Sequence, residues 1–183
     1  MGKRLAGLFA VLFALFFVYG CSRTASKKLN MVENADFTAW AENTQLPAGW
    51  KVEGSGLTVK KSTARVEGTN AATVECAFSP DSAAINAPFV YWQASDPKKF
   101  WGKSISAGVW VKTSTANAVA VELSNRGGVD FKSGMQAGNG QWQFLNVSWK
   151  VPENTSTVEL RVRFYGPATA YFGNPTITDE GII

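Results

Sequence analysis

The chain has 183 residues and a mass of 19.8 kDa, with 45% apolar and 17% charged residues. That composition supports a packed core and excludes disorder over most of the length. The size fits one domain once a leader of about twenty residues is set aside. Histidine is absent, which excludes Ser-His-Asp and Cys-His nucleophile systems and zinc sites built on imidazole.

The formal charge of +4 points to nucleic acid only until it is divided along the chain. Lys3, Arg4, Arg23, Lys27 and Lys28 all lie at the N-terminal end. Without these five, thirteen basic residues face fourteen acidic ones, a net of −1 from residue 29 onward. Binding driven by counterion release needs a basic domain, so no nucleic-acid partner is expected.

Residues 1–20 read as a secretory leader, with Lys3-Arg4 ahead of an apolar run from Leu5 to Tyr19. The run of 15 residues is short of the roughly 20 that a bilayer-spanning helix needs. It ends at Val18-Tyr19-Gly20-Cys21, which resembles the lipobox of bacterial lipoproteins; an uncleaved signal anchor is the other reading. The resemblance implies cleavage after Gly20, fatty-acyl (palmitate-type) chains on Cys21 and a membrane partner through that anchor. Residues 21–30 then form the lipidated cysteine and a polar tether. Ser22 stands where an Asp would resemble an inner-membrane retention signal, so the implied location is the cell envelope, and the outer membrane in a Gram-negative cell.

From Met31 to Ile183 the dominant period is two, the signature of strands with one face in a core. It is read at 71–78, 105–112, 117–124 and 156–165, separated by turn clusters such as Asn125-Arg126-Gly127-Gly128 and Pro152-Glu153-Asn154-Thr155. No stretch of ten or more residues carries a helical stripe. The expectation is an all-β, two-sheet antiparallel sandwich of about eight main strands. Cys76 alternates with polar neighbours, so it is expected in the core as a small hydrophobe, with a reactive thiol as the alternative.

Four fragments along residues 31–183 carry a family resemblance. Asn34-Ala35-Asp36-Phe37 with Leu46-Pro47-Ala48-Gly49-Trp50, then Trp101-Gly102-Lys103 leading into Ala107–Lys112, then Gly140-Gln141-Trp142 with Val151-Pro152, and finally Ala170-Tyr171-Phe172-Gly173-Asn174 together resemble the jelly-roll (galactose-binding-like) carbohydrate-binding modules. The resemblance implies a jelly roll with Trp50 and Trp142 in its core. The family usually has Asp in the last strand, near a structural calcium; Gly173 stands there instead, so no calcium, metal or cofactor is carried over. Asp36, Asp130 and Glu33 read as loop carboxylates rather than ligands.

The function expected is a lipid-anchored, non-catalytic glycan-binding module of the bacterial envelope. The alternative is a structural or assembly lipoprotein that offers the same sandwich face to a protein partner. Among nine Glu and five Asp no pair stands out for glycoside hydrolysis, so no enzyme is expected. Under the resemblance, segments 71–78, 156–165, 105–112 and 117–124 share one sheet in that spatial order. Their outward residues Glu75, Arg161, Arg163, Tyr165, Trp110, Lys112 and Glu122 then form one ligand-binding surface, with a hollow beside Trp110 left by Gly108, Ala118 and Ala120. The loop aromatics Trp101 and Phe131 are the alternative site, or lids over the sandwich ends.

Overall fold

The computed structural model describes residues 29–42, 45–80, 87–127 and 130–180. The leader, Cys21 and the tether up to Lys28 lie outside the described residues. Ten strands are present among the described residues: β1 (Trp50–Glu53), β2 (Leu57–Ser62), β3 (Thr73–Phe78), β4 (Phe89–Gln93), β5 (Ser104–Thr113), β6 (Val119–Ser124), β7 (Asp130–Lys132), β8 (Trp142–Lys150), β9 (Glu159–Phe164) and β10 (Ala168–Asp179). A short 3-10 turn at Pro97–Phe100 is started by Asp96, whose side chain accepts from the Lys98 amide. No helix among the described residues is long and apolar enough to cross a membrane.

The strands form two antiparallel five-stranded sheets, in the orders β1-β4-β9-β6-β7 and β2-β3-β10-β5-β8. The all-β sandwich expected from the period-two pattern is therefore present, with ten strands instead of about eight. Alternation fixes which side of each strand is buried: Val109 and Val111, Val121 and Leu123, Leu160, Val162 and Phe164, and Val74 and Cys76 all point inward. Two apolar faces closing on one another gain about 25 cal/mol of transfer free energy per Å², which is what holds the layers together.

The sheet assignment differs from expectation. β9 and β6 are hydrogen-bonded neighbours in one sheet, whereas β3 and β5 flank β10 in the other. Alternation reports burial on one side of a strand, and that is identical for strands of either sheet; pairing partners are decided by the long connections, which carry no periodic signal.

The first and last of the family-like fragments meet in the core. Phe37, Trp50 and Phe172 form a ring cluster with centroids 5.4, 5.6 and 5.9 Å apart; Phe37 meets both other rings edge to face, a geometry that aromatic quadrupoles favour. Asn34 organises the approach to this cluster from a left-handed backbone (φ 54°). Its amide donates to the carbonyls of Ala39 (2.8 Å) and Ala48 (3.2 Å), and its Oδ1 accepts from the Ala39 amide at 3.0 Å. Asn30, placed in the tether by sequence, is instead fixed to the domain: it donates to Pro175 O at 2.9 Å and accepts from the amides of Val32 and Ile177.

Trp142 corrects a further expectation. Leu145, Val147 and Trp149 are the buried side of β8, so Trp142, out of phase with them, lies on the solvent side. Trp92 is in the core with Val90, which turns Phe89 and Tyr91 outward on β4.

Candidate functional site

The solvent side of the β1-β4-β9-β6-β7 sheet carries an ordered network of charged and aromatic side chains. Register sets its rows: Tyr91, Arg161, Glu122 and Lys132 are consecutive cross-strand neighbours, as are Phe89, Arg163 and Ala120, and then Gln93, Glu159, Ser124 and Asp130. Cross-strand neighbours stand about 4.5–5.5 Å apart at Cβ, so long polar side chains reach one another across each row and between rows.

Glu159 is the anchor. It is fully buried, and its Oε2 accepts from Arg161 Nη2 (2.7 Å) and Nε (3.0 Å). Arg161 reaches on with Nη1 to Asp130 Oδ1 at 3.2 Å. Glu159 Oε1 lies 3.0 Å from Arg126 Nε, an ion pair that is not aligned as a hydrogen bond. Arg126 also donates to Glu53 (2.6 Å) and to the Tyr91 hydroxyl (3.0 Å). The carboxylate of Glu159, then Tyr91 and Glu53, raises the Arg126 pKa.

A second branch centres on Glu122, only 2% exposed. Its Oε2 accepts from Arg163 Nε at 2.8 Å, and its Oε1 from the Tyr165 hydroxyl. Partial burial, and then this bond, hold the Tyr165 phenol above its ordinary pKa, so it remains a donor. The guanidinium carbons of Arg161 and Arg163 sit 4.6 and 4.5 Å from the Phe89 ring centre, and Arg126 lies 5.3 Å from that of Tyr91. Those two rings are covered. The ring left open is Tyr165, 42% exposed, with Lys132 Nζ 4.7 Å from its centre.

Of the seven residues expected on one surface, Glu122, Arg161, Arg163 and Tyr165 come together here. Glu75, Trp110 and Lys112 do not: they point outward from the other sheet, on the opposite side of the sandwich. The hollow expected beside Trp110 is filled. Phe144 leans across Gly108, where a Cβ would meet its Cζ at 2.2 Å, and packs 5.5 Å from the Trp110 ring. Ala118 and Ala120 belong to the other sheet's segment. Glu159, Arg126, Tyr91, Phe89 and Asp130 are network members that sequence reasoning did not select; Glu159 shares its phase with Arg161 and Arg163, and that signal was available.

The aromatics expected in loops are engaged, and Phe131 lies on β7. Trp101 donates from Nε1 to Thr155 O at 2.8 Å, and Phe131 stacks on Trp149 at 5.5 Å. The carboxylates considered for calcium are apart: Asp36 accepts from Thr38, Glu33 from Ser95, and Asp130 from Arg161. Among the described residues no three metal-ligating side chains converge. At Gly173 a Cβ would meet Thr73 Cγ2 at 2.9 Å and Ala72 O at 3.2 Å, so the neighbouring segment occupies the space a larger residue would need. Cys76 is fully buried, and desolvation, then Glu75, pushes its thiol well above the usual range, the opposite of a reactive cysteine.

No protein-family model matches the sequence, and no curated protein sequence matches it either. Solved structures do match the fold. A family 22 carbohydrate-binding module of Clostridium thermocellum Xyn10B superposes with a TM-score of 0.60 at 14% identity, over 84% of this chain and 98% of that one. TmCBM61, solved with β-1,4-galactotriose, gives 0.57 at 16% identity over 83% of this chain and 99% of that one. The enzymatically active domain of bacteriophage CBA120 tailspike protein 4 gives 0.60 at 13% identity, but this chain spans only 21% of its length. The fold is thus a jelly-roll β-sandwich of the kind found in carbohydrate-binding modules.

Proposed function

We propose that the chain is a non-catalytic glycan-binding module whose ligand lies on the β1-β4-β9-β6-β7 face. The observation that carries this reading is the Glu159–Arg161–Asp130 and Arg163–Glu122–Tyr165 network, whose Glu159, Arg161 and Glu122 are withdrawn from water although they stand on the outer side of a sheet. Buried ion pairs are weak contributors to stability. What they do well is hold donors and acceptors in fixed rotamers, which lowers the ordering cost of binding. Arg163 Nη2 and the open ring of Tyr165 offer a sugar a hydroxyl partner and a face for its C–H side.

Five cationic side chains (Lys51, Arg126, Lys132, Arg161 and Arg163) stand beside four carboxylates (Glu53, Glu122, Asp130 and Glu159) on this face. The near balance suits a neutral glycan. Structural neighbours support the class of ligand, since one is held with a galacto-oligosaccharide and others are named as xylan-binding. Among the described residues, no broad apolar patch on this face invites a protein partner. The leader at 1–20, the acylated Cys21 and residence in the envelope complete the proposal: a module tethered to a membrane, in the outer membrane if the cell is Gram-negative. A survey of the full chain on immobilised neutral polysaccharides tests it. Retention that soluble oligosaccharide reverses is expected; no retention on any glycan contradicts it.

A further inference from the structure

The other sheet carries several partly open rings on its solvent side, where the first face has Tyr165. Tyr171 on β10, Lys112 on β5 and Trp142 on β8 are consecutive cross-strand neighbours, and Gly173, Trp110 and Phe144 form the next row. Phe144 is 42% exposed, and Trp110, Trp142 and Tyr171 are partly so. The aromatic surface is confined to one end of the sheet, because the outward residues at the other end are Ser106, Asn146, Ser148, Thr176 and Thr178.

A pocket of about 220 Å³ opens at that aromatic end, lined by Lys112, Thr113, Ser114, Gly140, Thr169 and Tyr171. Two lysines share the row that crosses it. Lys60 is taken by Glu75 at 2.9 Å. Lys112 has no hydrogen-bond or ion-pair partner among the described residues, although it is only partly exposed. Lys112 therefore carries an unpaired ammonium in register between Tyr171 and Trp142, beside a cavity lined by hydroxyls. Aromatic faces take the C–H side of a pyranose ring, hydroxyls take its polar edge, and an ammonium without a protein counter-ion takes a carboxylate. On the opposite face the lysines without an ion pair, Lys51 and Lys132, lie over the Tyr91 and Tyr165 rings instead.

We infer that this face is a second saccharide site, specific for a uronic-acid residue of an acidic polysaccharide, with the carboxylate on Lys112 and the ring against Tyr171 or Trp142. It rests on the glycan-binding reading for the class of ligand only; its residues and its side of the sandwich are different. Two such faces would let one module hold a neutral and an acidic chain at once, with the gain in avidity that linked sites bring.

The test titrates the full chain with galacturonate and glucuronate oligosaccharides and with neutral galacto- and xylo-oligosaccharides, alongside Lys112→Gln, Trp142→Ala and, on the opposite face, Tyr165→Ala. Circular dichroism and thermal melts confirm that each variant is folded. Lys112→Gln is expected to weaken uronate binding by about tenfold and to leave neutral binding unchanged, and rising salt is expected to weaken only the uronate arm. Uronate binding that is intact in both Lys112→Gln and Trp142→Ala overturns the inference. So does a chain that binds neutral glycans but no uronate, an outcome that leaves the opposite face's function standing. Uronate binding lost in Lys112→Gln, in a chain that binds no neutral glycan, supports this site and ends the other. Binding to phosphatidylglycerol vesicles through Lys112, with no uronate binding, makes the face a membrane contact and also overturns the inference.

Discussion

Arg161 and Glu159 stand two residues apart on β9 and are joined on the outer side of their sheet by hydrogen bonds of 2.7 and 3.0 Å to a single carboxylate oxygen. Both side chains are almost wholly withdrawn from water. Removing one partner leaves the other's charge buried, which costs about 3–5 kcal/mol, whereas replacing both with apolar groups is close to neutral. Arg161→Met is therefore expected to lower stability by about that amount, and Arg161→Met with Glu159→Leu to recover most of it, as read by chemical denaturation. Equal losses in the single and the double variant would contradict a coupled pair. The double variant, stable but without its network, is also expected to lose glycan binding.

The core cluster gives a cleaner stability prediction. Phe172 is fully buried between Phe37 and Trp50. Phe172→Ala removes a large ring from the centre of the sandwich and is expected to cost about 3–5 kcal/mol. A loss below about 1 kcal/mol, measured in urea, would mean that the sheets close elsewhere.

Alkaline stability follows from two groups held neutral. Cys76 is raised by burial, then by Glu75, and Tyr165 by partial burial, then by its bond to Glu122. In the unfolded chain the thiol loses its proton from about pH 8.5 and the phenol from about pH 10. Above those values the unfolded state binds fewer protons than the native one, so stability falls as pH rises. The stability these groups contribute is fully present below about pH 8.5. Melting temperature is expected to decline above that point. Cys76→Ala should flatten the slope between about pH 8.5 and 10, and Tyr165→Phe the slope beyond about pH 10. A slope unchanged in both variants would contradict the assignment.

Among the described loop glycines, Gly138 has little room to change. Its φ is +74°, and a Cβ there would meet the Ala116 backbone nitrogen at 2.1 Å. Main chain, unlike a side-chain tip, cannot swing aside. Gly138→Ala is expected to destabilise by about 1–3 kcal/mol, and a neutral effect in a thermal melt would contradict it.

The strands were legible because burial imposes a period of two. Segments 105–112, 117–124 and 156–165 match β5, β6 and β9 to within about three residues at each end, and the inward phase of Val109, Val121 and Leu160 is as expected. The sheet partners were not legible, since Trp110 and Arg161 alternate alike although they face opposite sides of the sandwich. This split the expected surface: Glu122, Arg161, Arg163 and Tyr165 stayed together, while Glu75, Trp110 and Lys112 parted from them. Tyr91 was missed because Phe89–Trp92 is apolar throughout, and only Trp92 packing in the core resolves its phase. Trp142 was misplaced by the family resemblance although its phase against Leu145 already put it outside.

Anchoring has its own test in cells. Cys21→Ser is expected to abolish fatty-acid labelling of the chain and release it from the membrane fraction. Label retained in the variant, or never incorporated by the wild type, would contradict a lipidated Cys21.

Titration of the full chain with a neutral β-1,4-linked oligosaccharide, comparing wild type, Tyr165→Ala and Trp142→Ala, tests the central claim most directly. Tyr165 and Trp142 are on opposite faces and neither lies in the core, so both variants are expected to fold. If the β1-β4-β9-β6-β7 face binds the sugar, Tyr165→Ala weakens binding by about 1–3 kcal/mol while Trp142→Ala matches the wild type. Wild-type affinity in a folded Tyr165→Ala would contradict it.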